Sequence, residues 1–173
     1  MPQISKYVRD ALKAQLSLGT TGFNDRLAAI AQTYGIDPWA VDWSADSTNF
    51  LFGRINPAQI EASSVLTYPL VTIDTVRSQN TNRVKFATFA GPIVVVIDVH
   101  HSWADESVIA DFASFLDATE DAMIASLNDQ DAQSWPGNLL WNGQVATQRG
   151  PIVMAGLGWL QSLSFICNFE LVT

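Results

Sequence analysis

Near the middle of the chain, a carboxylate and two histidines form the first candidate for chemistry. Asp98 and His100 are two residues apart in a run rich in β-branched residues. A strand would therefore place both side chains on one face and His101 on the other. Such a pair could hold a metal or supply acid–base chemistry. A metal site normally needs at least three protein ligands, and the sequence has no third histidine. We expect ordinary polar residues at a strand end, with no catalytic residue, metal site or cofactor.

Other catalytic motifs are missing from the sequence. The glycines between residues 150 and 158 have neither the spacing of a phosphate-binding loop nor a following lysine. No G-x-S-x-G turn is present. Cys167, the single cysteine, stands in an alternating apolar pattern and is predicted to be a buried small hydrophobe. These observations predict a protein that is not an enzyme.

The charges are few and unevenly placed. The 173 residues include 17 acidic and 9 basic residues, for a net charge of −8. Such a chain is poorly suited to bind nucleic acid, which needs many Lys and Arg side chains. Residues 86–148 contain no Lys or Arg at all. The acids of one predicted helix therefore have no cation one turn away. They must face water, meet cations of another chain or line an electronegative space; they are Asp111, Asp117, Glu120 and Asp121.

The basic residues gather in two places that could complement those acids on a neighbouring copy. One is the first predicted helix, with Lys6 and Arg9, and the other is the tip of a predicted hairpin, with Arg77, Arg83 and Lys85. Pairing of unlike patches from head to tail produces rings. A plain solvated surface is the alternative for both the acids and the cations.

Two tryptophans stand in an acidic stretch that is predicted to be a long loop, residues 36–49. Exposed there, Trp39 and Trp43 would be a docking element. The alternative is that both rings fold back as a lid on the core.

The elements that must position these residues follow from periodicity. Apolar positions at helical spacing predict helices over residues 3–17, 24–34 and 108–127, and Asn56, Pro57 and Gln59 predict a short helical turn. Strands are predicted over residues 50–52, 69–77, 83–101, 139–147 and 162–171. The order predicts one α+β domain over residues 1–173, with a mostly antiparallel sheet, a long hairpin and helices on one face.

This layout resembles the tail terminator and neck proteins of tailed bacteriophages. The resemblance is carried by the opening helix ISKYVRDALKAQ, the hairpin around SQNTNR, the acidic helix ESVIADFASFLDATEDAMIASL and the closing strand LSFICNFELV. It implies a virion protein, assembled in the host cytoplasm as a ring, usually a hexamer, with no membrane partner. The ring would cap the tail tube and join it to the head-side connector, with DNA only as passing cargo.

The resemblance also implies roles for the residues singled out above. The cations Lys6, Arg9, Arg77, Arg83 and Lys85, with Trp39 and Trp43, would contact other subunits or neck proteins. The acids Asp111, Asp117, Glu120 and Asp121 would line the lumen or pair with those cations. Another neck, head-completion or tail-tube protein of the same particle is the first alternative. A small enzyme or ligand-binding domain that uses Asp98 and His100 is the second.

Overall fold

The computed structural model consists of one mixed sheet and the helices packed on it. It describes residues 4–79, 90–103, 109–129, 135, 139–155 and 158–171. Within these ranges, the side chains of residues 57, 58, 61, 109–111 and 155 are not described. The helices are α1 (Ile4–Leu16), α2 (Phe23–Tyr34), α3 (Pro57–Ala62) and α4 (Ile109–Asn128). The strands are β1 (Phe50–Phe52), β2 (Leu70–Ser78), β3 (Gly91–Trp103), β4 (Leu139–Arg149), β5 (Val153–Ala155) and β6 (Gly158–Leu171).

The sheet has the strand order β1-β2-β3-β6-β4, and β5 adds to β6. β1 and β2 run parallel, whereas every other described pairing is antiparallel. The centre is long and regular, since β3 pairs with β6 along all 13 of its residues, from Gly91 opposite Leu171 to Trp103 opposite Trp159. The predicted α+β class and the predicted antiparallel hairpin of β2 and β3 are both confirmed. Residues 83–89 of the predicted second arm lie outside the described part.

Side chains that alternate along the central strands form the core. Ile93, Val95, Ile97 and Val99 of β3 point to the same side as Leu163, Phe165, Cys167 and Phe169 of β6, because residues opposite each other in an antiparallel pair share a face. These side chains are buried against α1, α2 and α4 in one cluster. Full burial of a side chain of this size contributes about 1.5–3 kcal/mol, so this face supplies most of the driving force for folding.

The three longer helices therefore lie where the sequence predicts them, on one face of the sheet. The short α3 instead packs mainly against β5, and its Ile60 is buried outside the main core cluster. The local signals for the helix ends are confirmed. Gly35 adopts the left-handed conformation at the end of α2, with φ at 67°, and the backbone N–H of Asn56 donates to Gln59 Oε1 at 3.0 Å at the start of α3.

Candidate functional site

The side of the sheet opposite the three longer helices carries the predicted Asp98 and His100 pair. Asp98 lies opposite Thr72 on β2 and Ser164 on β6, and His100 lies opposite Ser162. Both side chains share one face, as predicted, while the next residue of the strand points to the helices. The register thus assembles a row of polar groups in the centre of the sheet, where Asp98, His100 and Thr72 are all buried.

Two separate hydrogen-bonded pairs make up this polar row. His100 Nδ1 lies 2.7 Å from Ser162 Oγ, and Ser164 Oγ donates to Asp98 Oδ1 at 2.5 Å. Arg54 Nε lies 3.8 Å from Asp98 Oδ2, so the carboxylate also has a counter-charge. Burial lowers the pKa of His100, although the nearby Asp98 charge opposes this effect, and the imidazole is neutral at neutral pH.

A neutral imidazole beside a serine hydroxyl is the start of a nucleophile–base pair, but the third member is absent. The base of a serine triad is oriented by a carboxylate on its second ring nitrogen. His100 Nε2 is buried and has no hydrogen-bond partner within the described part of the chain. Across the same residues, no three His, Cys, Asp or Glu side chains approach closely enough to hold a metal ion. Within the described residues, the row thus pairs His100 with Ser162 and Asp98 with Ser164, and it leaves His100 Nε2 and Thr72 Oγ1 without partners.

Two of the acids that the sequence places in water, beside cations of another chain or along an electronegative space find a cation in their own chain. Arg149 at the end of β4 forms a short contact with Asp117 and lies 3.0 Å from Glu120, and Thr147 Oγ1 also donates to Glu120 at 2.7 Å. The hydrogen bond to Asp117 is the main cause of a raised pKa at Arg149. These contacts hold α4 against the strand at the end of the sheet.

Asp121 and Asp111 are the other two acids of α4 that the sequence singled out. Tyr34 OH donates to Asp121 at 2.7 Å, and this hydrogen bond is the main cause of a raised pKa at Tyr34. The side chain of Asp111 lies outside the described part. A lumenal position for the acids stays a prediction. Their net charge toward a neighbour is smaller than the sequence indicates, because Arg149 neutralises part of it.

Two of the five predicted contact cations, Lys6 and Arg9, form ion pairs within the chain. Lys6 Nζ lies 2.7 Å from Asp10, and Arg9 lies 3.8 Å from Asp74 with its guanidinium 5.3 Å from the centre of the Phe52 ring. Arg77 is exposed and donates to Gln79 at 3.3 Å, and it forms no ion pair within the described residues. Arg83 and Lys85 lie outside them. Among the described residues, Arg77 is thus the predicted contact cation without an acidic partner, and it stays available for an acid on another molecule.

The tryptophans of the acidic loop fold back onto the core, which was the second of the two predicted alternatives. The ring of Trp39 lies 5.3 Å from that of Phe23, and the ring of Trp43 lies 4.9 Å from that of Phe50. The loop is fixed to α2 by two hydrogen bonds of 2.9 Å between the Asn24 side chain and the backbone of residue 41. Both rings are half-buried, so only their outer parts could meet a partner.

The two ends of the sheet are unlike, and sequence reasoning did not identify them as a site. β4 is the last strand in the order, and it exposes most of its residues. Its one charged side chain, Arg149, is already paired. At the other end, β1 pairs only with residues 71–73, so residues 74–78 of β2 extend past their parallel neighbour. Natural edge strands are normally protected by charges, prolines or covering elements. β4 instead presents a mostly uncharged edge.

Exposed apolar side chains accompany both ends. Leu140 on β4 is 41% exposed, Met154 on β5 is 72% exposed, and Val76 on β2 is 42% exposed. β2 and β4 also run antiparallel to each other, because three successive antiparallel pairings separate them. The two ends of the sheet therefore have the relative direction that a continuous antiparallel sheet requires.

Comparison with known proteins identifies no family for the chain. No protein-family model matches it, and no curated protein matches it. None of the described helices is long and apolar enough to cross a membrane. A function must therefore be inferred from the fold and from the geometry of these surfaces.

Proposed function

We propose that this chain is a structural subunit of a tailed-phage virion, a tail terminator or closely related neck protein, and not an enzyme. Its copies assemble into a ring, a hexamer in the expected case, that caps the tail tube and receives the head-side connector. The observation that supports this proposal is the pair of unlike ends of one sheet, the mostly uncharged edge of β4 and the exposed residues 76–78 of β2, which extend past β1.

Assembly through these ends follows from their geometry. A heterologous contact between two different surfaces of the same chain repeats from copy to copy and closes into a ring when the rotation permits. β4 of one copy would continue the sheet of the next copy beside β2, in the antiparallel sense. Unpaired backbone groups along both edges would gain partners, and Leu140 and Val76 would be shielded from water.

Electrostatics suits a ring through which DNA passes. The chain carries a net charge of −8, and the contacts of Arg149 leave Asp121 with only a tyrosine hydroxyl as its described partner. An acidic wall does not release counterions from DNA and so does not retain it. Another neck, head-completion or tail-tube protein would use the same surfaces. Added to growing tails, a terminator stops elongation at a fixed length, whereas a tube protein becomes incorporated.

A charge placed on the edge of β4 tests the proposal. Ala146 is exposed on this strand, and Ala146→Lys adds one charge to the edge without touching the core. Leu18→Lys places the same charge on an exposed residue that follows α1 and serves as the matched control. We expect rings for the natural chain and for the control, and monomers for Ala146→Lys, in sedimentation and negative-stain images. A natural chain that stays monomeric at tens of micromolar, even with tail tubes present, would contradict the proposal.

Cross-linking tests which surfaces meet. Cys167 is fully buried, and burial raises the pKa of its thiol to about 12, so it does not react with maleimides in the folded chain. The double variant Val76→Cys/Ala146→Cys should give a ladder of covalent multimers with a short bis-maleimide. Either single variant should give none. Rings that form without the ladder would show that other surfaces join the subunits.

A further inference from the structure

A cavity of about 570 Å³ opens where the ends of four elements meet. Its walls come from the turn after α2, the residues before β2, the end of β3 and the first turns of α4. Small-molecule sites typically enclose about 300–1,000 Å³ and join an apolar lining to a few polar groups. The cavity is thus large enough for a bicyclic molecule.

Flat aromatic side chains make up one wall. The rings of Trp103 and Phe112 lie 3.7 Å apart at 30°, and those of Phe112 and Phe115 are nearly parallel, at 14°. His101 stands almost perpendicular to Phe112 and Phe115, at 84° in each case. Aromatic faces pack best against another planar ring, either offset or edge to face. The wall therefore favours a planar ligand.

Polar groups in the same wall have no partner. His101 is 1% exposed, and neither of its ring nitrogens is hydrogen-bonded within the described part of the chain. The same holds for the indole nitrogen of Trp103. Burial, with a smaller contribution from His100, lowers the pKa of His101 to about 3. The ring is therefore neutral and offers one N–H donor and one acceptor. All three nitrogens are closed off from solvent, so a ligand reaches them only by displacing part of the aromatic wall, and it then removes the cost of leaving them unsatisfied.

The charge of the lining limits the ligand further. Asp37 lies at the cavity, and no Lys or Arg is among the described residues that line it. An anionic ligand would meet a carboxylate with no compensating cation. This charge argues against anionic ligands and is compatible with neutral and cationic ones.

We propose that this cavity binds a planar heteroaromatic small molecule without negative charge, whose ring nitrogen forms a hydrogen bond with the imidazole of His101. The site lies beside the loop that carries Trp39, whose ring is 5.5 Å from that of His101. It is separate from the sheet ends assigned to assembly above, so either proposal can fail while the other stands.

Three probes of similar size test the proposal: indole with a donor nitrogen, quinoline with an acceptor nitrogen, and naphthalene with neither. Each is titrated into the full chain at neutral pH and followed by calorimetry. We expect saturable binding of one molecule per chain, with indole or quinoline binding about fivefold or more tightly than naphthalene. A single net hydrogen bond of about 1 kcal/mol corresponds to that ratio.

The two histidines provide an internal control. With ¹⁵N-labelled histidine, binding should shift the imidazole resonances of His101 and leave those of His100, on the opposite face, unchanged. His101→Phe keeps an aromatic ring at this position and removes both nitrogens, and it should abolish the preference over naphthalene. No saturation with any probe, equal affinity for all three, or shifts at His100 alone would each overturn the proposal.

Discussion

His101 makes the stability of this fold depend on pH in a way that one substitution removes. The imidazole has a pKa of 6.5 when exposed and about 3 in the folded chain, because burial disfavours the charged form. The unfolded chain therefore takes up a proton in a range where the folded chain does not. The contribution of the neutral His101 to the free energy of unfolding is fully present well above pH 6.5. It falls as the pH drops through this value and stops falling below about pH 3.

The magnitude follows from the difference between the two pKa values. One pH unit between them corresponds to about 1.4 kcal/mol of the free energy of unfolding. Acidification from about pH 7.5 to about pH 4.5 should therefore remove about 3 kcal/mol through His101 alone. His101→Phe lacks this loss. Other acid-sensitive groups, including His100, contribute to both proteins and largely cancel in the comparison.

Urea unfolding, followed by tryptophan fluorescence at a series of pH values, measures the effect. We expect His101→Phe to be at least as stable as the natural chain at neutral pH, because it removes two buried nitrogens without partners. The difference in free energy of unfolding between His101→Phe and the natural chain should then grow by about 3 kcal/mol as the pH falls to about 4.5. Two curves that stay parallel over this range would refute a neutral, buried imidazole at this position.

Three further results follow from local geometry. Arg149→Gln should lower the free energy of unfolding by about 1 kcal/mol at low salt and by less at high salt, because it leaves Asp117 and Glu120 side by side on an exposed surface. Chemical unfolding at two ionic strengths measures this difference. Equal losses at both ionic strengths would contradict the prediction. Gly35→Ala should cost about 1–2 kcal/mol, since φ is 67° there, and Gly19→Ala, which has open space around it, is the matched control in thermal unfolding. Cys167 should resist thiol reagents in the folded chain and react at once in denaturant; rapid native labelling would argue against its burial.

The regular parts of the fold could be predicted because their patterns are long. β6 alternates apolar and polar side chains over most of its length, and α4 repeats apolar residues over several turns. The start of α3 could be predicted from three residues, since a capping box depends only on local geometry. β5 was not predicted, because its three residues lie among the glycines of residues 150–158, which indicate turns, whereas the equally short β1 was predicted from its apolar run.

The contacts of the candidate surfaces were less accessible to sequence reasoning, because they are made over long distances along the chain. The absence of i,i+4 cations around Asp117 was correct, yet Arg149 reaches that acid from a strand 32 residues away. The choice between an exposed and a folded-back Trp39 depended on Phe23 and Phe115, which belong to other elements. The shared face of Asp98 and His100 was predictable, but the serines opposite them depend on the register of β6.

The bulge in β4 would affect how far an assembly of copies joined through this edge could grow. The pairing of β4 with β6 shifts between Trp141 and Val145, around Gly143 with its φ of 75°. Residues 145–149 are thus the only regular stretch longer than three residues that the described edge offers to an incoming strand. Bulges bend a strand and increase its twist, so each added copy would be turned relative to the last. A flat edge extends without end as a fibril, whereas a turned one closes into a ring when the rotation per copy divides a full turn and otherwise gives an open helical filament. In the proposed ring, the bulge at Gly143 would thus supply part of the turn that closure requires.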